Sequence, residues 1–111
     1  MDTLFELPEP ETPEEAVIAH YRLSDDKYGS RAEREAIFDA ERAMAAAVED
    51  AGVGEVDGNE FGGGEAVVYA YGADAEALFK VMEPMLRSLP LRPAHVVLRQ
   101  GSQERETRVD L

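Results

Sequence analysis

Val53-Gly54-Glu55-Val56-Asp57-Gly58-Asn59-Glu60-Phe61-Gly62-Gly63-Gly64-Glu65-Ala66-Val67-Val68-Tyr69-Ala70-Tyr71 is the stretch that decides the fold. It holds two strand patterns in succession with no room for a helix between them. Val53–Asp57 is a candidate strand and Ala66–Tyr71 is a clear one. Val67, Tyr69 and Tyr71 fall on one face of the latter, and Ala66, Val68 and Ala70 on the other, so it reads as a central strand. The glycine-rich piece from Gly58 to Gly64 reads as a hairpin connection or bulged turn, in which glycines supply positive φ and Asn59 tolerates it.

Working outward, a helix flanks this pair on each side. On the N-terminal side Ser30-Arg31-Ala32-Glu33 is a capping box. Ile37, Ala40, Met44, Val48 and Ala51 then recur at helical steps, and Gly52 closes the helix. On the C-terminal side Asp74 caps a second helix with Leu78, Val81, Met82, Met85, Leu86 and Leu89 as its apolar stripe. Pro84 inside it predicts a kink or a break into two pieces. Beyond the helices lie two further strands. Ala16–Leu23 alternates Val17, Ala19, Tyr21 and Leu23 against Ile18, His20 and Arg22. Ala94–Gln100 follows the turn bounded by Pro90 and Pro93, and Glu104–Leu111 reads as a short edge strand after the Gly101-Ser102 turn. The order strand, helix, strand, strand, helix, strand is the split βαβ pattern. The expected fold is therefore α+β: a ferredoxin-like βαββαβ sandwich, with an antiparallel sheet, two helices on one face and an extra C-terminal edge strand. The opposite sheet face is left open.

The 111 residues suit one domain, and 44% hydrophobic residues suit a folded one. Residues 1–13 carry Pro8, Pro10 and Pro13 among acids and read as an N-terminal arm, with a single α+β domain over 14–111. Leu4, Phe5 and Leu7 could dock the arm onto the body. Without cysteine there is neither a disulfide nor a thiolate ligand. No apolar run reaches the length of a membrane span, and the N-terminus lacks a signal-peptide layout, so the expected setting is cytoplasmic, away from membranes.

Charge is the most unusual bulk property: −13 net, from 24 acidic and 11 basic residues. Its placement is uneven. Glu49, Asp50, Glu55, Asp57, Glu60, Glu65, Asp74 and Glu76 lie in a stretch, 43–79, that has no Lys or Arg, whereas bases outnumber acids from Lys80 onward. Such a field repels phosphate backbones, so no nucleic-acid partner is expected; it attracts a basic protein or a cation.

Motifs that carry chemistry are scarce. Asp57, Asn59 and Gly62 match the first, third and sixth positions of a calcium loop, but Phe61 fills a ligand position and Val68 stands at the twelfth, which excludes an EF-hand. Weak cation binding by Glu55, Asp57, Asn59 and Glu60 stays an alternative. Gly62-Gly63-Gly64 lacks the Lys-Ser/Thr of a phosphate loop and is flanked by Glu60 and Glu65. His20 and His95, on expected neighbour strands with Arg22 and Arg99, share the open face. Two histidines and a carboxylate can hold zinc or iron, but the nearby arginines disfavour a cation, and no metal or cofactor is expected. Tyr21, Tyr69 and Tyr71 either line an interface or pack under the helices.

The stretch Gly54-Glu55-Val56-Asp57-Gly58-Asn59-Glu60-Phe61-Gly62, followed by Tyr71-Gly72-Ala73-Asp74-Ala75-Glu76-Ala77-Leu78-Phe79, resembles a recurring pattern in small uncharacterised bacterial proteins, over about residues 30–100. The resemblance implies no activity and transfers no catalytic residues. It implies only that the Asp57–Phe61 loop and the Tyr71–Asp74 turn are more than accidental.

The leading expectation is a non-catalytic interaction module whose acidic edge (Glu55, Asp57, Asn59, Glu60, Phe61 and Glu65) meets a basic protein. Charge and size suit an immunity protein that neutralises a basic toxin. The alternative is a small-molecule or cation-binding regulatory domain that forms a homodimer through the open sheet face, where His20, Arg22, Tyr69, Tyr71 and His95 lie. An enzyme using His20, Tyr21 or His95 has residues of suitable type but no motif.

Overall fold

The computed structural model describes residues 14–101 and 105–111; the arm expected over 1–13, and Ser102 and Glu104 of the expected tail, lie outside them. The elements run β1 (Glu15–Arg22), α1 (Arg31–Ala51), β2 (Glu55–Gly62), β3 (Glu65–Gly72), α2 (Ala75–Ser88), β4 (Ala94–Gln100) and β5 (Arg105–Asp110). The fold is α+β, with one five-stranded sheet in the order β2-β3-β1-β4-β5. Every neighbouring pair of strands is antiparallel.

β1 is the middle strand because it can bury both faces. Val17, Ala19, Tyr21 and Leu23 point into the main core with Ile37, Met44 and Val48 of α1 and Leu78, Met82 and Leu86 of α2. Burying each of the larger side chains contributes about 1.5–3 kcal/mol. Ala16 and Ile18, on the other face, form a second, smaller cluster with Val67 of β3. The two helices thus cover one face only. Tyr21 is fully buried under them, and its hydroxyl donates to the Leu86 carbonyl at 2.6 Å, one of the carbonyls that the end of α2 leaves without a helical partner. Burial of this phenol pushes its pKa far up.

The helix ends follow the sequence. Ser30 and Glu33 form the full capping box, and Gly52, at φ 68°, donates to Glu49 and Val48. Glu33 also accepts from the Ser24 amide and hydroxyl, which ties the β1–α1 loop to the cap. These bonds, the one from the Ser30 amide foremost, hold its carboxyl below the usual range. Asp74 accepts from the Glu76 and Ala77 amides to start α2. Contrary to the break admitted by Pro84, α2 is a single helix from Ala75 to Ser88. Leu78, Met82 and Leu86, buried on both sides of the proline, hold its two halves to one core.

β2 departs furthest from expectation. It begins at Glu55 because the Val53 amide is taken by Val48 at the end of α1, and it continues through the expected loop to Gly62. The turn needs only Gly63 and Gly64, at φ 61° and 81°, as a tight two-residue hairpin requires. The Gly64 carbonyl accepts from Leu23 and its amide donates to Lys27, so the turn is pinned against the β1–α1 loop. Register shifts by one residue between Val56 and Gly58, leaving Asp57 unpaired. That bulge reverses the phase of the strand. Asn59 and Phe61 turn to the helix side, where Asn59 donates to Glu41 and Phe61 meets Phe38 edge to face at 5.6 Å. Glu60 turns to the open face.

Gly54 and Gly72 cross without side chains between them: a Cβ on Gly72 would stand 2.2 Å from the Val53 carbonyl oxygen, whereas one on Gly62 would meet nothing. Gly72→Ala is therefore expected to cost about 2–4 kcal/mol in denaturant unfolding, while Gly62→Ala stays within about 0.5 kcal/mol of the parent. Equal effects of the two would show that the crossing is not tight.

Candidate functional site

The face away from the helices is the candidate site. Directly paired residues share a face, so the register writes its surface in rows. One row runs Glu55, Tyr71, Ala16, Arg99, Glu106; the next Gly58, Tyr69, Ile18, Val97, Arg108; the third Glu60, Val67, His20, His95, Asp110. Glu65 and Arg22 continue beyond the third row. Ala16, Ile18 and Val67 form the floor, with the half-buried rings of Tyr69 and Tyr71 packed against it.

The two sides of this face differ in charge. On the β4–β5 side Arg99 pairs with Glu106 at 3.0 Å and Arg108 with Asp110 at 2.9 Å. On the β2–β3 side Glu55, Glu60 and Glu65 meet no Lys or Arg among the described residues. Glu60 accepts from the Tyr69 hydroxyl at 2.9 Å. A shallow hollow lies there, lined by Glu60, Phe61, Gly62, Glu65 and Val67.

His20 and His95 meet at the centre. They are directly opposed on β1 and β4, and their rings stack at 4.6 Å between centroids and 8° between planes. Glu65 Oε2 stands 3.3 Å from His20 Nδ1. Partial burial first, then His20 and Arg108, hold His95 below the usual histidine range, with Glu65 and Asp110 opposing. The rings lie face to face and do not converge on a point. Among the described residues no group of three or more His, Asp or Glu could hold a metal ion.

The residues expected at a partner edge therefore divide. Glu55, Glu60 and Glu65 share the open face, Asp57 sits at the bulge, and Asn59 and Phe61 belong to the helix side, so Glu55, Asp57, Asn59 and Glu60 do not surround one cation. Of the open-face residues, His20, Arg22, Tyr69, Tyr71 and His95 share the face, with Tyr71 and Arg22 at opposite ends of it. Tyr21 is on the buried side, away from both histidines. Sequence reading placed Ile18 and Val67 on this face but did not single out Ala16 as part of its floor; its alternation with core residues was the available signal. No family model, curated protein or solved structure matches the chain, so its chemistry is read from its own residues. Among the described residues no helix is long and apolar enough to cross a membrane.

The Glu60 contact holds the Tyr69 phenol above its ordinary range, since a carboxylate acceptor favours the protonated form. In an ultraviolet phenolate titration Tyr69 is expected to ionise above about pH 10, and Glu60→Gln to bring it down. Any stability from this contact is present below that pH and is lost as pH rises through the Tyr69 pKa. An unchanged titration in Glu60→Gln would show that the bond is not formed in solution.

Proposed function

We propose that this chain is a ferredoxin-like domain, with β5 added beyond β4, that acts as a non-catalytic module binding a basic protein through its open sheet face. One observation carries the reading: an apolar and aromatic floor bordered on the β2–β3 side by three carboxylates, Glu55, Glu60 and Glu65, that meet no Lys or Arg among the described residues. A basic segment would lay apolar groups on Tyr69 and Tyr71 and set Lys or Arg side chains against the carboxylates, one of them in the hollow beside Glu60. The charge of −13 steers such a partner from a distance, and the local carboxylates fix where it stops. An immunity-like role against a basic toxin, in the cytoplasm, is the biological form that size and charge suit. The competing occupant is a second copy of the chain, and the like charge of the two faces opposes it.

Titrating isotope-labelled protein with a lysine-rich peptide that also carries aliphatic residues tests this by amide-shift mapping. The shifts should gather on Glu60, Glu65, Val67 and Tyr69 and weaken as salt is raised. A Glu55→Gln, Glu60→Gln, Glu65→Gln variant should bind at least about fivefold more weakly than a Glu35→Gln, Glu49→Gln, Asp50→Asn control of equal net charge, a loss of about 1 kcal/mol. Shifts confined to the helices, or equal binding by the two variants, would sink the reading. A stable dimer in solution that buries the same amides would favour the competing occupant.

A further inference from the structure

We propose that the stacked pair His20 and His95 is a proton-operated release device for the basic partner, a role that rests on the binding reading above. Two neutral imidazoles tolerate a parallel stack at 4.6 Å; two imidazolium ions do not. Antiparallel pairing of β1 with β4 sets the two residues directly opposite each other, so the backbone keeps them close and only side-chain rotation can part them.

The groups facing the pair decide what a proton does there. Glu65 of β3 is 3.3 Å from His20 Nδ1. Glu60 of β2 lies in the same row beyond Val67, and Arg22 follows His20 by two positions on β1. On the other side Asp110 of β5 is opposite His95, but it is already paired with Arg108, and Arg99 of β4 is paired with Glu106. The carboxylate beside the rings that meets no Lys or Arg among the described residues is thus Glu65, one of the three offered to the partner. A first proton on the pair makes an ion pair with Glu65 and withdraws it from the partner. A second proton is opposed by the first and by Arg108, and puts further positive charge in the middle of the face. Either step works against a cationic ligand. By linkage, the bound ligand works equally against protonation. The desolvation that keeps His95 neutral acts in the same sense. Because the folded chain resists protonating His95, stability is fully present above the ordinary histidine pKa and falls as pH drops below about 6.5 towards the His95 value.

The test has two arms on the full chain. In the free protein, imidazole nitrogen spectra across pH should show the His95 midpoint below the ordinary histidine range, with His20→Gln raising it. For binding, the lysine-rich peptide is titrated calorimetrically at about pH 7.5 and about pH 5.5, either side of the ordinary histidine pKa. The parent should lose roughly fivefold more affinity on acidification than the His20→Gln/His95→Gln double variant, the low end of ordinary coupling between sites. A His95 midpoint unmoved by His20→Gln, or parallel loss of affinity in parent and double variant, would overturn the device. Peptide that binds at neither pH would remove the binding reading and the release role with it, whereas a flat pH response with tight, mapped binding would remove the release role alone.

Discussion

The alternation along β1 is the constraint on which the rest of the structure depends. Val17, Ala19, Tyr21 and Leu23 fill the space beneath both helices, and the intervening Ala16, Ile18, His20 and Arg22 build the opposite face. Because β1 pairs with β3 on one side and β4 on the other, a slip of one residue would break two ladders. It would also turn His20 and Arg22 into the helix layer. Burying either one there without a partner costs more than a domain of this size can spare. Register is thus fixed by chemistry on both faces, and it is this register that brings His20 opposite His95.

Tyr21 shows how one residue satisfies both halves of that constraint. Its ring is large enough to bridge sheet and helix layer, and its hydroxyl finds the Leu86 carbonyl at the end of α2. The bond replaces a helical partner that Leu86 cannot have and removes the penalty of a buried phenol. It also takes Tyr21 out of any chemistry on the open face. That leaves Tyr69 and Tyr71 as the aromatic surface there, one of them tied to Glu60.

Most of the architecture was legible in the sequence where local signals and packing agree. Ser30 with Glu33, Gly52 and Asp74 mark the helix ends by hydrogen bonds made within a few residues, and β1, β3 and β4 announce themselves by period-two alternation. The start of β2 was legible, but its continuation from Gly58 to Gly62 was not, because those residues favour a turn and only their neighbours make them a strand. Pairing with β3, the edge contact of Phe61 on Phe38 and the bond from Asn59 to Glu41 outweigh the local preference of Gly58, Asn59 and Gly62. Pro84 is the same lesson in a helix, with buried residues either side of it overriding the expected break. The candidate site was partly legible. Neighbouring strands put the two histidines within reach, whereas the stack and the approach of Glu65 depend on side-chain rotamers that no periodicity encodes.

The bulge at Asp57 links this misreading to the site itself. Without it, simple alternation from Glu55 would carry Asn59 and Phe61 onto the open face and turn Glu60 towards the helices. A carboxylate would then sit against the core, with an aromatic ring in solvent. One unpaired residue corrects both, since every position after it changes side. The cost is a disturbed ladder at the sheet edge, where such a cost is smallest. The result is that Glu60 joins Glu55 and Glu65 on one surface, next to Tyr69 and two residues across the sheet from His20. The place of Glu60 in the acidic border is therefore a product of the bulge. With an unbulged β2, Glu55 and Glu65 would stay on this face, but Glu60 would be lost from beside Tyr69.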